Sequence, residues 1–138
     1  MAHGVRLGSA IMFVQDLDRS VSFYTDVLAL RVAERSPTAA LLASADGTQL
    51  ILRAMGHGAA HPLGSVGVQY VIWTAAGPED LDRCERVLKS RSAHQHSRSS
   101  AAVTLVEGRD PDDIPVMIAY PGPDQAPWHE LPVRIYGW

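Results

Sequence analysis

A single cysteine in 138 residues rules out an intramolecular disulfide and leaves Cys84 a free thiol. Positive charge is not in excess either. The formal net charge of −3 lacks the surplus of Lys and Arg that neutralises phosphates, which argues against a nucleic-acid partner. No apolar run approaches the roughly 20 residues needed to cross a bilayer, and no basic start followed by an apolar run marks a signal peptide. These absences point to a cytoplasmic protein without a membrane partner. A Gly-rich phosphate loop and a nucleophile elbow are also missing, and nothing signals a Ser, His, Asp triad.

What is present is the balance of a folded chain, 46% hydrophobic and 20% charged, of a length that suits one domain over residues 1–138. Leu7 to Val14 is a short apolar run that reads as a strand buried on both faces. Asp16 to Leu30 follows as an amphipathic helix. Leu17, Val21, Tyr24 and Leu28 share one face of the 3.6-residue period, Val27 widens it, and Asp16 sits where a capping acid belongs. Arg31–Ser36, Thr38–Ala43 and Thr48–Arg53 then read as strands, broken by Pro37 and by the hairpin signal Asp46-Gly47.

After a glycine-rich linker at 55–65 the order begins again. Val66 to Thr74 reads as a second buried strand. Pro78 opens a helix whose apolar face is Leu81, Cys84, Val87 and Leu88, and further strands follow at His94–Ser100, Ala101–Glu107 and Ile114–Tyr120, the last after the turn Asp110 to Asp113. Two modules, about 7–54 and 66–120, therefore each read strand, helix, strand, strand, strand. The tail 121–138 is too apolar at Leu131, Val133, Ile135, Tyr136 and Trp138 for a solvated end, and is expected to pack on the domain or on a second subunit, with a short strand at Leu131–Tyr136. The fold expected is α+β: two βαβββ modules forming a curved, partly open mixed sheet with a concave pocket.

The run FVQDLDRSVSFYTDVLAL after a short strand, the repeated module and the late turn GRDPDD resemble the vicinal oxygen chelate superfamily of glyoxalases, bleomycin-resistance proteins and extradiol dioxygenases. The resemblance covers Leu7 to Tyr120. It implies a U-shaped sheet around a ligand, homodimers among small members, and in the enzymes a divalent metal held by His, Glu or Gln. The positions that correspond to those ligands here are Ser9, Gln49, Gln69 and Met117. Two amides, a hydroxyl and a thioether are a poor first shell for a hard or borderline cation. No metal and no other cofactor is therefore expected.

Strand alternation adds neighbours to those four: Ile11 and Phe13 beside Ser9, Ile51 beside Gln49, Val71 and Trp73 beside Gln69, and Ala119 beside Met117. Such a lining suits a flat or amphipathic small molecule, such as an antibiotic or an aromatic metabolite. Side chains that merely fill the interior are the bland alternative. Two other readings stand beside ligand binding. One is a metal-dependent lyase, isomerase or dioxygenase with atypical ligands, for which His94 and His96 would share a strand face. The other is a partner-binding module using the apolar tail. His57 and His61 read as loop residues, His129 as a packing residue, and Cys84 as a buried structural thiol.

Overall fold

The computed structural model describes residues 4–56 and 68–126. The linker histidines His57 and His61, most of the linker, and the tail from residue 127 onward, with His129 and the strand expected at Leu131–Tyr136, lie outside the described residues. The chain divides into two compact units, Met1–Ala60 and His61–Trp138. Each holds a helix and an open four-stranded mixed sheet, so the class is α+β with two βαβββ modules.

In the first unit β1 (Ser9–Val14) runs into α1 (Leu17–Val27). Asp16 is the N-cap: its backbone is extended and its carboxylate accepts from the Arg19 N–H at 3.1 Å, which satisfies one free donor of the first turn. The helix stops at Val27 rather than Leu30, because Ala29 turns into the left-handed region at φ 55°. Leu30 stays buried as the chain turns back. Besides Leu17, Val21, Tyr24 and Val27, the buried face takes in Ser20 and Phe23, whose ring stands edge-on to Tyr24 at 5.1 Å. β2 (Arg31–Arg35), β3 (Ala39–Ala43) and β4 (Gln49–Ala54) complete the sheet in the order β1-β4-β3-β2, with β1 parallel to β4 and the other pairs antiparallel. Gly47, at φ 92°, makes the β3–β4 hairpin, and Asp46 accepts from the Thr48 N–H at 3.0 Å.

β1 is not buried on both faces. Val14 is buried and Ala10 and Met12 are half-buried, whereas Ser9, Ile11 and Phe13 are exposed. The strand is an edge with a helix over one side only, so its continuous apolar run looked like a central strand and is not one.

In the second unit β5 (Ile72–Thr74) leads to α2 (Pro78–Ser90), then β6 (His94–Ser99), β7 (Thr104–Arg109) and β8 (Pro115–Tyr120), ordered β5-β8-β7-β6. Pro78 occupies the first helical turn as the sequence predicts, and Leu81, Cys84 and Leu88 are buried against the sheet. β5 is shorter than expected, beginning at Ile72; of the strand expected from Val66, residues 68–71 lie outside it and 66–67 lie outside the described residues. At Gly108 helix and sheet come into contact: a Cβ there would stand 2.7 Å from both the Ala93 carbonyl oxygen and Leu88 Cδ2. The turn at Asp110 is held by its own carboxylate, which accepts from the N–H groups of Asp112 and Ile114 at 2.8 and 2.9 Å. Among the described residues no helix is long and apolar enough to cross a membrane.

Candidate functional site

Strand alternation sorts each sheet into a face under its helix and a face turned away from it. In the first unit Leu42, Leu50, Leu52 and Val14 are at most 2% exposed and form the side under α1. The ladder then puts Ser9 opposite Gln49, Ile11 opposite Ile51, and Leu41 on the far side of Ile51, all on the other face. Ser9, Ile11, Phe13, Gln49 and Ile51 thus share one face as expected. That face is open: Ile11 is 67% exposed and Phe13 60%, while Gln49, Ile51 and Leu41 are half-buried. A cleft of about 280 Å³ lies on it, with a floor of Leu41, Ile51 and Ala39 and a polar rim of Glu34, Arg35 and Ser36. Arg35 is held by an ion pair to Asp18 of α1, so that rim is tied to the helix behind it.

The second unit departs from the expectation at three residues. β5 pairs with β8 so that Ile72 faces Met117 and Trp73 faces Ile118. Ile118 pairs with Val106, two residues from the Gly108 that touches Leu88, which places Trp73 on the α2 side and not beside Met117. Gln69 and Val71 precede the strand and are half-buried there. The side chains that pack on the Met117 cluster are Tyr70 and Ile72. A count back from the helix would have found them: Ile11 stands five residues before the N-cap Asp16, and Ile72 five before the N-cap Gly77. By the same count Tyr70, not Gln69, corresponds to Ser9.

Met117 is fully buried with Val103, Leu105 and Ala119. The four positions expected from the sequence, and Tyr70 in place of Gln69, therefore do not fit a hard or borderline divalent ion. Ser9 and Gln49 offer a hydroxyl and an amide, Gln69 lies ahead of β5, and Met117 offers a soft thioether inside an apolar cluster. Among the described residues no three His, Cys, Asp or Glu side chains come together in a way that could hold a metal.

His94 and His96 do not share a face, which corrects the sequence expectation. The β6–β7 register shifts between them, so a bulge at Gln95 reverses the alternation. His94 turns to α2, where its Nε2 lies 2.8 Å from Ser97 Oγ and 3.6 Å from Glu85 Oε2, and the Ser97 hydroxyl donates to Glu85. That hydroxyl, with Lys89 and His94 nearby, holds the Glu85 carboxyl below its ordinary value. His96 lies directly opposite Glu107, which in turn faces Met117. Glu107 is 7% exposed, a buried acid that the sequence pattern did not single out. Cys84 is buried, and burial pushes its thiol up, as suits a structural residue.

A family model described as the Glyoxalase/Bleomycin resistance protein/Dioxygenase superfamily matches residues 6–118. Solved structures with the same fold include a glyoxylase/bleomycin resistance protein/dioxygenase domain from Frankia sp. EAN1pec, at 23% identity and TM-score 0.71, with 86% of this chain and 92% of that one covered. A lactoylglutathione lyase from Agrobacterium tumefaciens is similar at 18% identity and TM-score 0.65, covering 85% and 94%. The oxidase ChaP-H1 is similar at 19% and 0.67, covering 86% and 100%. Comparison with curated protein sequences finds no match.

Proposed function

The chain belongs to the glyoxalase/bleomycin resistance protein/dioxygenase superfamily, and from that premise we propose that it binds a small organic molecule on a sheet face turned away from the helix of its unit, without a resident metal. One observation carries the reading. The first unit leaves Ile11 and Phe13 exposed beside a cleft floored by Leu41 and Ile51, where a water-facing apolar surface has no structural use. A flat or amphipathic ligand, an antibiotic or aromatic metabolite, gains burial against that floor and hydrogen bonds from Ser9, Gln49 and the rim. The donor chemistry at Ser9, Gln49 and Met117, with Tyr70 where Gln69 was expected, supports binding over metal-assisted lyase, isomerase or dioxygenase chemistry. The protein acts in the cytoplasm as a homodimer; the bare Val5 and Leu7 ahead of β1, at 102% and 67% exposure, support pairing with a second copy.

A thermal-shift screen of aromatic compounds tests the reading. A ligand at a hundred times its dissociation constant adds about 2.7 kcal/mol of stability, well within detection. Hits that protect the protein and compete with one another support it. Metal analysis of protein purified without chelator decides against it if about one divalent ion per subunit is retained, and sedimentation velocity tests the dimer.

A further inference from the structure

Glu107 is the unexplained group of the second unit. It sits on β7, 7% exposed, on the face away from α2, and among the described residues no hydrogen bond or ion pair reaches its carboxylate. Its neighbours across the sheet are His96 on one side and the fully buried Met117 on the other, with Ile72 beyond Met117 in the same row. Arg98 is one row away, opposite Leu105, and makes no ion pair with it among the described residues. The residue as a whole is covered, yet its carboxylate oxygens are not among the buried atoms left without a partner, so they keep a path to solvent. A carboxylate that reaches solvent from an apolar floor is placed to take a donor from outside the fold.

We propose that Glu107, on the apolar floor of Met117, Leu105 and Ala119 and with His96 opposite, accepts a hydrogen bond from a protonated amine on a small organic molecule bound at this face of the second unit. The inference rests on the reading of a helix-distal face as a small-molecule site, and it names the ligand's class: an apolar or aromatic body carrying a cationic nitrogen. An amine fits this row better than a metal ion does. A divalent cation requires three or more convergent donors, and beyond Glu107 and His96 the row offers only Met117 and Ile72. An ammonium group needs one charge-assisted hydrogen bond and an apolar seat for its carbon body.

The test is a matched series at pH 7, benzylamine, benzyl alcohol and benzoate, titrated by NMR against the wild-type protein and the Glu107→Gln variant. Benzylamine is expected to bind the wild type at least tenfold more tightly than benzyl alcohol, and benzoate more weakly than either. Glu107→Gln is expected to lower benzylamine affinity at least tenfold, leave benzyl alcohol within about twofold, and not lower the melting temperature, since among the described residues no hydrogen bond or ion pair of the fold ends on that carboxylate. The wild-type ranking decides the matter even if the variant does not fold. Benzyl alcohol binding as tightly as benzylamine would overturn this inference while the small-molecule reading stands. Failure of all three probes together with failure of the aromatic screen would overturn both.

Discussion

Ser20 shows how a residue can sit in a core without being suited to it. It is 0% exposed on the buried face of α1, and its hydroxyl has no hydrogen-bond partner. A buried donor without an acceptor costs about 1–3 kcal/mol, so Ser20→Ala is expected to raise stability by about 1 kcal/mol in urea unfolding at unchanged slope. Glu85 gives a prediction with a defined sign. Its carboxyl is held below the ordinary value by the Ser97 hydroxyl, Lys89 and His94, so its contribution is complete above about pH 4.3 and is lost as the pH falls through the folded-state value. Glu85→Gln should flatten the acid side of the stability profile and leave stability above pH 6 lower than in the wild type. Neither effect was readable in the sequence. The sequence pattern singles out neither Ser20 nor Glu85, because burial and hydrogen-bond partners are set by what lies on the other side.

At the level of elements, the helices and hairpins follow from local chemistry, whereas strand phase does not. Asp16 before the stripe of Leu17, Val21 and Tyr24, Asp46-Gly47 between two apolar runs, and Pro78 opening α2 each act within a few residues, and each is where the sequence places it. The face shown by Trp73 or His94 depends on register with a strand elsewhere in the chain. One residue of slip or one bulge turns every following side chain over, which is why Trp73, Gln69 and the His94–His96 pair were misassigned. Packing between elements also fixes a glycine. At Gly108 a side chain would press on Leu88 and on the Ala93 carbonyl, a backbone atom that cannot step aside. Gly108→Ala is expected to cost about 2–4 kcal/mol by overpacking, measurable as a lower denaturation midpoint, with α2 and β6 losing amide-exchange protection first.

The whole molecule consists of two copies of one module, and its functional reading rests on the faces the helices leave free. Phe13→Ala separates function from stability. A side chain 60% exposed contributes little to folding, so the variant should unfold within about 0.5 kcal/mol of the wild type yet lose tenfold or more in affinity for any aromatic ligand from the screen. A large stability loss with affinity intact would instead make Phe13 a packing residue. What the sequence determined by itself was the module, its repetition, its two helices and the family, because helix starts, turns and helical periodicity are written within a dozen residues. Only the tertiary structure decided which β1 side chains stay bare, that Tyr70 and Ile72 rather than Gln69 and Trp73 accompany Met117, and that Glu107 is buried opposite His96. Those facts depend on pairing between strands far apart in the chain, and the energy that selects a register comes from the assembled sheet, not from any strand alone.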